Sequence, residues 1–154
     1  MRSLTMSLCL WASVPPLVAA LPTHPTAIVA YLYAHPDRVY TRHQKSLSGD
    51  FFTPHLLRLY RKDQENSQGG SPSLDFDFLS NSQDPDVTQV KVSVDPKGST
   101  DGHQTVIVHF LEGGNPETEL FFFERHQDKW LIAEVQCATP GRTWILSKTL
   151  EGHP

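Results

Sequence analysis

Cysteine is almost absent: the 154-residue chain has two, Cys9 and Cys137. Cys9 lies in the apolar opening segment, so the sequence offers no disulfide framework of the kind that staples small secreted scaffolds. Clustered positive charge is also lacking, since thirteen Lys and Arg are scattered among seventeen Asp and Glu for a net charge of −4. Such a surface repels phosphate backbones and anionic lipid, which argues against nucleic acid as a partner. No uninterrupted run of roughly 20 apolar residues offers a membrane-spanning helix. Signatures of chemistry are missing as well. The chain has no G-x-S-x-G, P-loop or dinucleotide glycine pattern, and no histidine pair at H-x-x-x-H spacing or beside a cysteine ligand. No metal or cofactor is therefore expected.

What is present begins with Arg2, the only charge before an apolar run through Leu4, Met6, Leu8, Leu10, Trp11, Val14, Leu17 and Val18 that closes on Ala19 and Ala20. A positive start, an apolar stretch broken at Pro15 and Pro16, and small residues at a cleavage site describe a secretory signal peptide over residues 1–20. Cys9 sits inside that stretch rather than after it, which argues against a lipid anchor. Cleavage removes Arg2 and deepens the net charge to −5, with twelve basic residues against seventeen acidic. The expected product is a periplasmic or secreted chain, Leu21–Pro154, of single-domain size and without a membrane span. Its one thiol, Cys137, falls in phase with Leu131, Ala133 and Val135, so a buried, inert cysteine is expected.

Along the mature chain, Ala27, Ile28, Tyr31 and Leu32 recur at helical spacing between Pro25, suited to a first helical turn, and Pro36, just past the end. A polar connector is expected over 37–50. Thr53 as N-cap and Pro54 at the first helical position then open a second helix, with Leu56, Leu59 and Tyr60 inward and Arg58, Arg61 and Lys62 outward. After an acidic connector over 74–86 the period changes to two. Val90, Val92 and Val94 alternate with polar residues, which predicts one buried face and one wet. Val106, Val108 and Phe110 follow, and two more strands run over 119–125 and 129–136. Leu120, Phe121, Phe122 and Phe123 in succession predict a strand covered on both faces. Helices gathered ahead of a four-stranded antiparallel meander make this an α+β chain.

Asp75, Asp77, Asp84 and Asp86 form the densest acidic cluster, but their spacing lacks the glycine and closing glutamate of a calcium loop, and turn aspartates commonly bond their own backbone. Asp75, Asp77 and Asp84 are therefore candidates for contacting a partner rather than for holding a metal.

The segment Leu74-Asp75-Phe76-Asp77-Phe78-Leu79-Ser80-Asn81-Ser82-Gln83-Asp84, placed after a helix that starts Thr53-Pro54-His55-Leu56, together with Trp130-Leu131-Ile132-Ala133-Glu134-Val135 and a final 146–150 segment, resembles the bacterial secreted proteins grouped as domain of unknown function 3828. That resemblance implies export, helices packed on a curved four-stranded antiparallel sheet similar to the cystatin-like cone of the nuclear transport factor 2 superfamily, and a short C-terminal helix. It implies no activity, because the family has no agreed one. Where the family pattern carries an acidic pair on the tryptophan strand, this chain has Ala133-Glu134. In a cone the concave face lines a hollow. Trp130, Ile132 and Glu134, alternating along one strand, are expected to share that face, with His109 pointing into it. A carboxylate and an imidazole meeting there would suit general acid–base work by a small hydrolase or isomerase. The leading expectation is instead a non-enzymatic domain of the cell envelope, binding a protein or small molecule through the sheet face, with Trp130 and Glu134, or through the acidic connector.

Overall fold

A computed structural model describes residues 20–39, 48–66, 70 and 72–152. The expected signal peptide lies outside the described residues except for Ala20, as do residues 40–47 of the polar connector. The first helix, α1 (Pro25–Ala34), starts on its proline and buries Ile28, Val29 and Leu32. Its end is tightened by the His35 N–H donating to the Leu32 carbonyl, after which Pro36 stops it. The stretch expected as a polar connector contains two single helical turns, α2 (Pro36–Val39) and α3 (Ser48–Phe51), which bury Val39, Ser48 and Phe51. Short turns with one apolar anchor carry no periodic signal, so spacing alone does not reveal them. The helix α4 (Pro54–Asn66) follows, and the Thr53 hydroxyl accepts from the Leu56 N–H at 3.4 Å, as an N-cap does. Its inward face holds Leu56, Tyr60 and, unexpectedly, Asp63. The Thr53 N–H donates to the Ile132 carbonyl and Phe52 bridges to Ile132, so the start of α4 is pinned to the sheet.

Five strands, rather than the expected four, form one antiparallel sheet in chain order: β1 (Val87–Asp95), β2 (His103–Glu112), β3 (Asn115–His126), β4 (Lys129–Cys137) and β5 (Trp144–Ile145). The fifth is two residues long and pairs with Gln136 and Cys137; two residues are too few to show alternation. It leads directly into the short C-terminal helix α5 (Leu146–Leu150). Between β2 and β3, Gly113 and Gly114 both take positive φ, the two-residue turn whose twist matches the flanking strands.

Two bulges bend the sheet and re-aim its side chains. One lies between Thr88 and Lys91 of β1, where Gln89 is left-handed, and the other adds Ala133 to β4 opposite the Phe122–Phe123 step. The second overturns an expected alternation. Phe123 pairs with Ile132, whereas Phe122 pairs with Glu134. Trp130 and Ile132 therefore face the core with Phe123, and Glu134 faces the other way. Leu131, expected in phase with Cys137, likewise falls on the face opposite to it; Val135 and Cys137 are both buried as expected.

The helices gather on one face of the sheet. There Phe121, Phe123, Val106, Val108 and Ile132 meet Ile28, Leu32, Leu56, Phe78 and Leu146 in a single core. Two expectations about covered strands fail. On β3, Phe121 and Phe123 are sealed, but Leu120 and Phe122 on the opposite face are only half-buried, so one side is covered and not both. On β1, Val90 and Val94 are 38% and 39% exposed although their face was expected to be buried. As the sheet's outer strand, β1 is only partly covered by α1, which rests against both β1 and β2.

Candidate functional site

The sequence-derived candidates do not converge. His109 is exposed on the face away from the core, where its Nδ1 lies 2.9 Å from the Thr118 hydroxyl. Glu134 is on the same face but opposite Phe122, which in turn pairs with Thr105, four residues along β2 from His109. Strand spacing and rise then separate the two side chains by roughly 16 Å, beyond hydrogen bonding or one bridging water. Glu134 is moreover engaged. Its carboxylate accepts from the Ser147 N–H at 3.0 Å, the Ser147 hydroxyl and its neighbour's Val135 N–H. Because α5 has no capping side chain at Ile145, Glu134 supplies from β4 the acceptor its first turn lacks. Changing Glu134 to Ala should cost about 1 kcal/mol, as the loss of a helix cap does. A fall in thermal midpoint accompanied by faster amide exchange confined to α5 would register it.

Trp130 lines a hollow of about 140 Å³ on the core side, with Leu21, Pro22, Ile28, Phe51, Asp128 and Lys129 around it. The acidic connector is more structural than its composition suggested, since Leu74, Phe78, Leu79 and Ser80 are buried. Asp77 ties a tight loop: its carboxylate accepts from the Leu79 N–H at 2.7 Å and its own N–H donates to the Ser82 carbonyl. Asp84 bonds locally to Ser82, and Asp75 is exposed. Among the described residues no group of three or more His, Cys, Asp or Glu is arranged to hold a metal ion.

What the strands do assemble is an apolar field on the face opposite the helices. Ile107 pairs with Leu120, Leu120 with Gln136 and Gln136 with Ile145; one row further on Phe122 lies between Thr105 and Glu134, and a second row on Leu131 lies beside Glu124. Ile107, Leu120, Phe122, Leu131 and Ile145 are all half-buried. Gln136 and Glu134 stand among these apolar residues, with Ser93 beside Ile107, Lys91 and His109 one row beyond, and His103 and Glu124 in the last row. Half-buried apolar side chains interspersed with polar ones are the composition of a non-obligate interface.

A second feature, also missed in the sequence, is a set of acids inside the core. Glu117 and Glu119 precede Phe121 and Phe123 at alternate positions, so strand period puts all four on the buried face. Glu117, 6% exposed, accepts from Thr139 Oγ1 at 2.7 Å, Asn81 Nδ2 at 3.1 Å and Arg142 at 3.1 Å. Asn81 in turn accepts from the Trp144 indole at 2.6 Å. This network fastens the connector and the chain between β4 and β5 to β3. Glu119 is fully buried: its Oε2 accepts from the Tyr33 hydroxyl at 2.8 Å, and its Oε1 has no partner. Burial pushes its carboxyl well above the ordinary range, Tyr33 pulls it back, and Asp77 and Glu117 push it further up. Burial and the charges of Asp77 and Asp63 likewise raise Tyr60, whose buried hydroxyl is also unpartnered. The acids were legible as the alternation Glu117, Glu119, Phe121, Phe123, had the phenylalanine face been extended backwards along the strand.

Compared with protein-family models, with curated proteins and with solved structures, the chain matches none.

Proposed function

We propose that this protein is a non-enzymatic binding domain of the bacterial cell envelope, exported by the signal peptide over residues 1–20, that engages a protein partner through the sheet face opposite the described helices. The observation that carries this reading is the field of Ile107, Leu120, Phe122, Leu131 and Ile145, left half-buried in a chain whose helices cover the other face. The two bulges in the sheet, and the helices on one side of it, support a cystatin-like or nuclear transport factor 2-like architecture, and kinship with domain of unknown function 3828 rests on the sequence segments alone. A cavity enzyme built on Glu134 and His109 has no comparable support, because the first caps α5 and the second lies far along the sheet.

The test is affinity capture from envelope extract with the exported chain and with Leu120→Asp and Phe122→Asp, followed by mass spectrometry. A stoichiometric partner should be retained by the unaltered chain and lost by at least tenfold with Phe122→Asp, since a desolvated aromatic anchor contributes about 2 kcal/mol or more. Both substitutions lie outside the core, so circular dichroism should show the fold unchanged. Asp75→Ala with Asp84→Ala probes the acidic connector instead; Asp77 is left intact because it holds its loop together. A partner retained by both sheet variants but lost by the connector variant would move the interface there, and no retained partner would sink the reading.

A further inference from the structure

Helix α1 has little holding it from its own sequence. His24 makes no side-chain cap, its first turn has no acid and its last turn no base to offset the helix dipole. It stays down because Ile28, Val29 and Leu32 are buried and because Tyr33, near its end, reaches into the sheet. The Tyr33 ring packs 5.7 Å from Phe110 and 6.3 Å from Phe121, and its hydroxyl donates to Glu119 Oε2 at 2.8 Å.

We propose that Tyr33 and Glu119 form a proton-dependent latch, in which the neutral carboxyl keeps α1 seated on the sheet and loss of its proton releases the helix. Among the described residues no ion pair involves Glu119. From α1 it faces Tyr33, and from the connector Asp77. On its own strand it has Glu117, whose charge is met by Arg142, and across on β4 its backbone partner is Cys137, whose thiol is occupied by the Arg142 carbonyl. The unpartnered hydroxyl of Tyr60 on α4 is raised by the same Asp77. An ionised Glu119 would hold one hydrogen bond from Tyr33 while its Oε1 has none, in a setting where two neighbouring carboxylates oppose it. Burying a charge so poorly satisfied is costly, and hydration is the relief available. Tyr33 is the group on α1 that meets this carboxylate, so lifting α1 is the movement that admits water to it.

Hydrogen–deuterium exchange followed by mass spectrometry across acid to mildly alkaline pH tests this, with rates corrected for the intrinsic pH dependence of amide exchange. Protection of the peptide spanning α1 should fall by about tenfold per pH unit once the carboxyl begins to ionise, because opening releases one proton. Glu119→Gln keeps the shape and cannot ionise, so α1 protection should then be independent of pH. Tyr33→Phe removes the hydrogen bond that favours the charged form, so the fall in protection should start at the same pH but continue to higher pH before it levels off. The latch is overturned if Glu119→Gln opens with the unaltered protein's pH profile, if Tyr33→Phe leaves that profile in place, or if β3 and β4 lose protection together with α1.

Discussion

Replacing Glu117 with Ala is expected to destabilise the protein by about 3 kcal/mol, the range seen when buried donors lose their acceptor. The loss follows from what the carboxylate joins. Its Oε2 accepts from Thr139 and Asn81 and its Oε1 from Arg142, and these groups come from the two stretches flanking the ends of the sheet. Asn81 is held in a left-handed conformation, φ 62°, that few residues adopt without a local reward. Its side chain is fixed between Glu117 and the Trp144 indole. Without Glu117 the Asn81 amide and the Thr139 hydroxyl each keep a donor with no acceptor, and the 77–82 loop and Trp144 lose their common anchor. Arg142 supplies an internal control. Its side chain is 53% exposed, so solvent screens the pair, and Arg142→Ala should cost less than about 1 kcal/mol. Urea titration monitored by tryptophan fluorescence checks both. Near-equal losses for the two variants would mean that the ion pair, not the buried network, carries the energy.

The order of helices and strands was legible in the sequence because it rests on long periodic runs. Pro25 and Pro54 mark the starts of α1 and α4, and the valines of β1 and β2 pair across the hairpin as alternation implies. Faces were harder to read than elements. Inserting Ala133 into β4 reverses the side-chain phase on one side of it, which separated Glu134 from Trp130 and dissolved the expected hollow. The exposure of Val90 and Val94 follows from β1's place at the sheet edge, a property of strand order that no local pattern encodes. Acidic residues are densest in the 74–86 connector, which is where composition points. The buried acids sit instead within an aromatic strand, Glu117 and Glu119 ahead of Phe121 and Phe123, where composition draws attention to the rings. The same bias hid the outer field, because Leu120 and Phe122 read as core until the helices are known to occupy only one side.

Glu119→Gln is expected to stabilise the protein, and by an amount that grows with pH. The sign follows from which form the fold prefers. Burial raises the Glu119 carboxyl well above its value in an unfolded chain, about 4.3, so the native state holds a proton that the unfolded state releases. Below the unfolded value both states are protonated and the group's full contribution is present. As pH rises from there toward the raised native value, stability falls by about 1.4 kcal/mol per pH unit and then levels off. Glutamine matches the neutral carboxyl in shape, can still accept from Tyr33 and never ionises, so its stability is flat over the same window. The two proteins should therefore coincide in acid and diverge steadily toward neutrality, with glutamine the more stable. Alanine separates this from mere loss of a side chain, because it leaves a cavity and an unpaired Tyr33 hydroxyl and should destabilise most in acid, where the glutamate is at its best. Thermal midpoints of the three proteins, taken as a series in pH, distinguish these curves. A constant offset between glutamate and glutamine at every pH would mean that Glu119 does not carry its proton into the folded core.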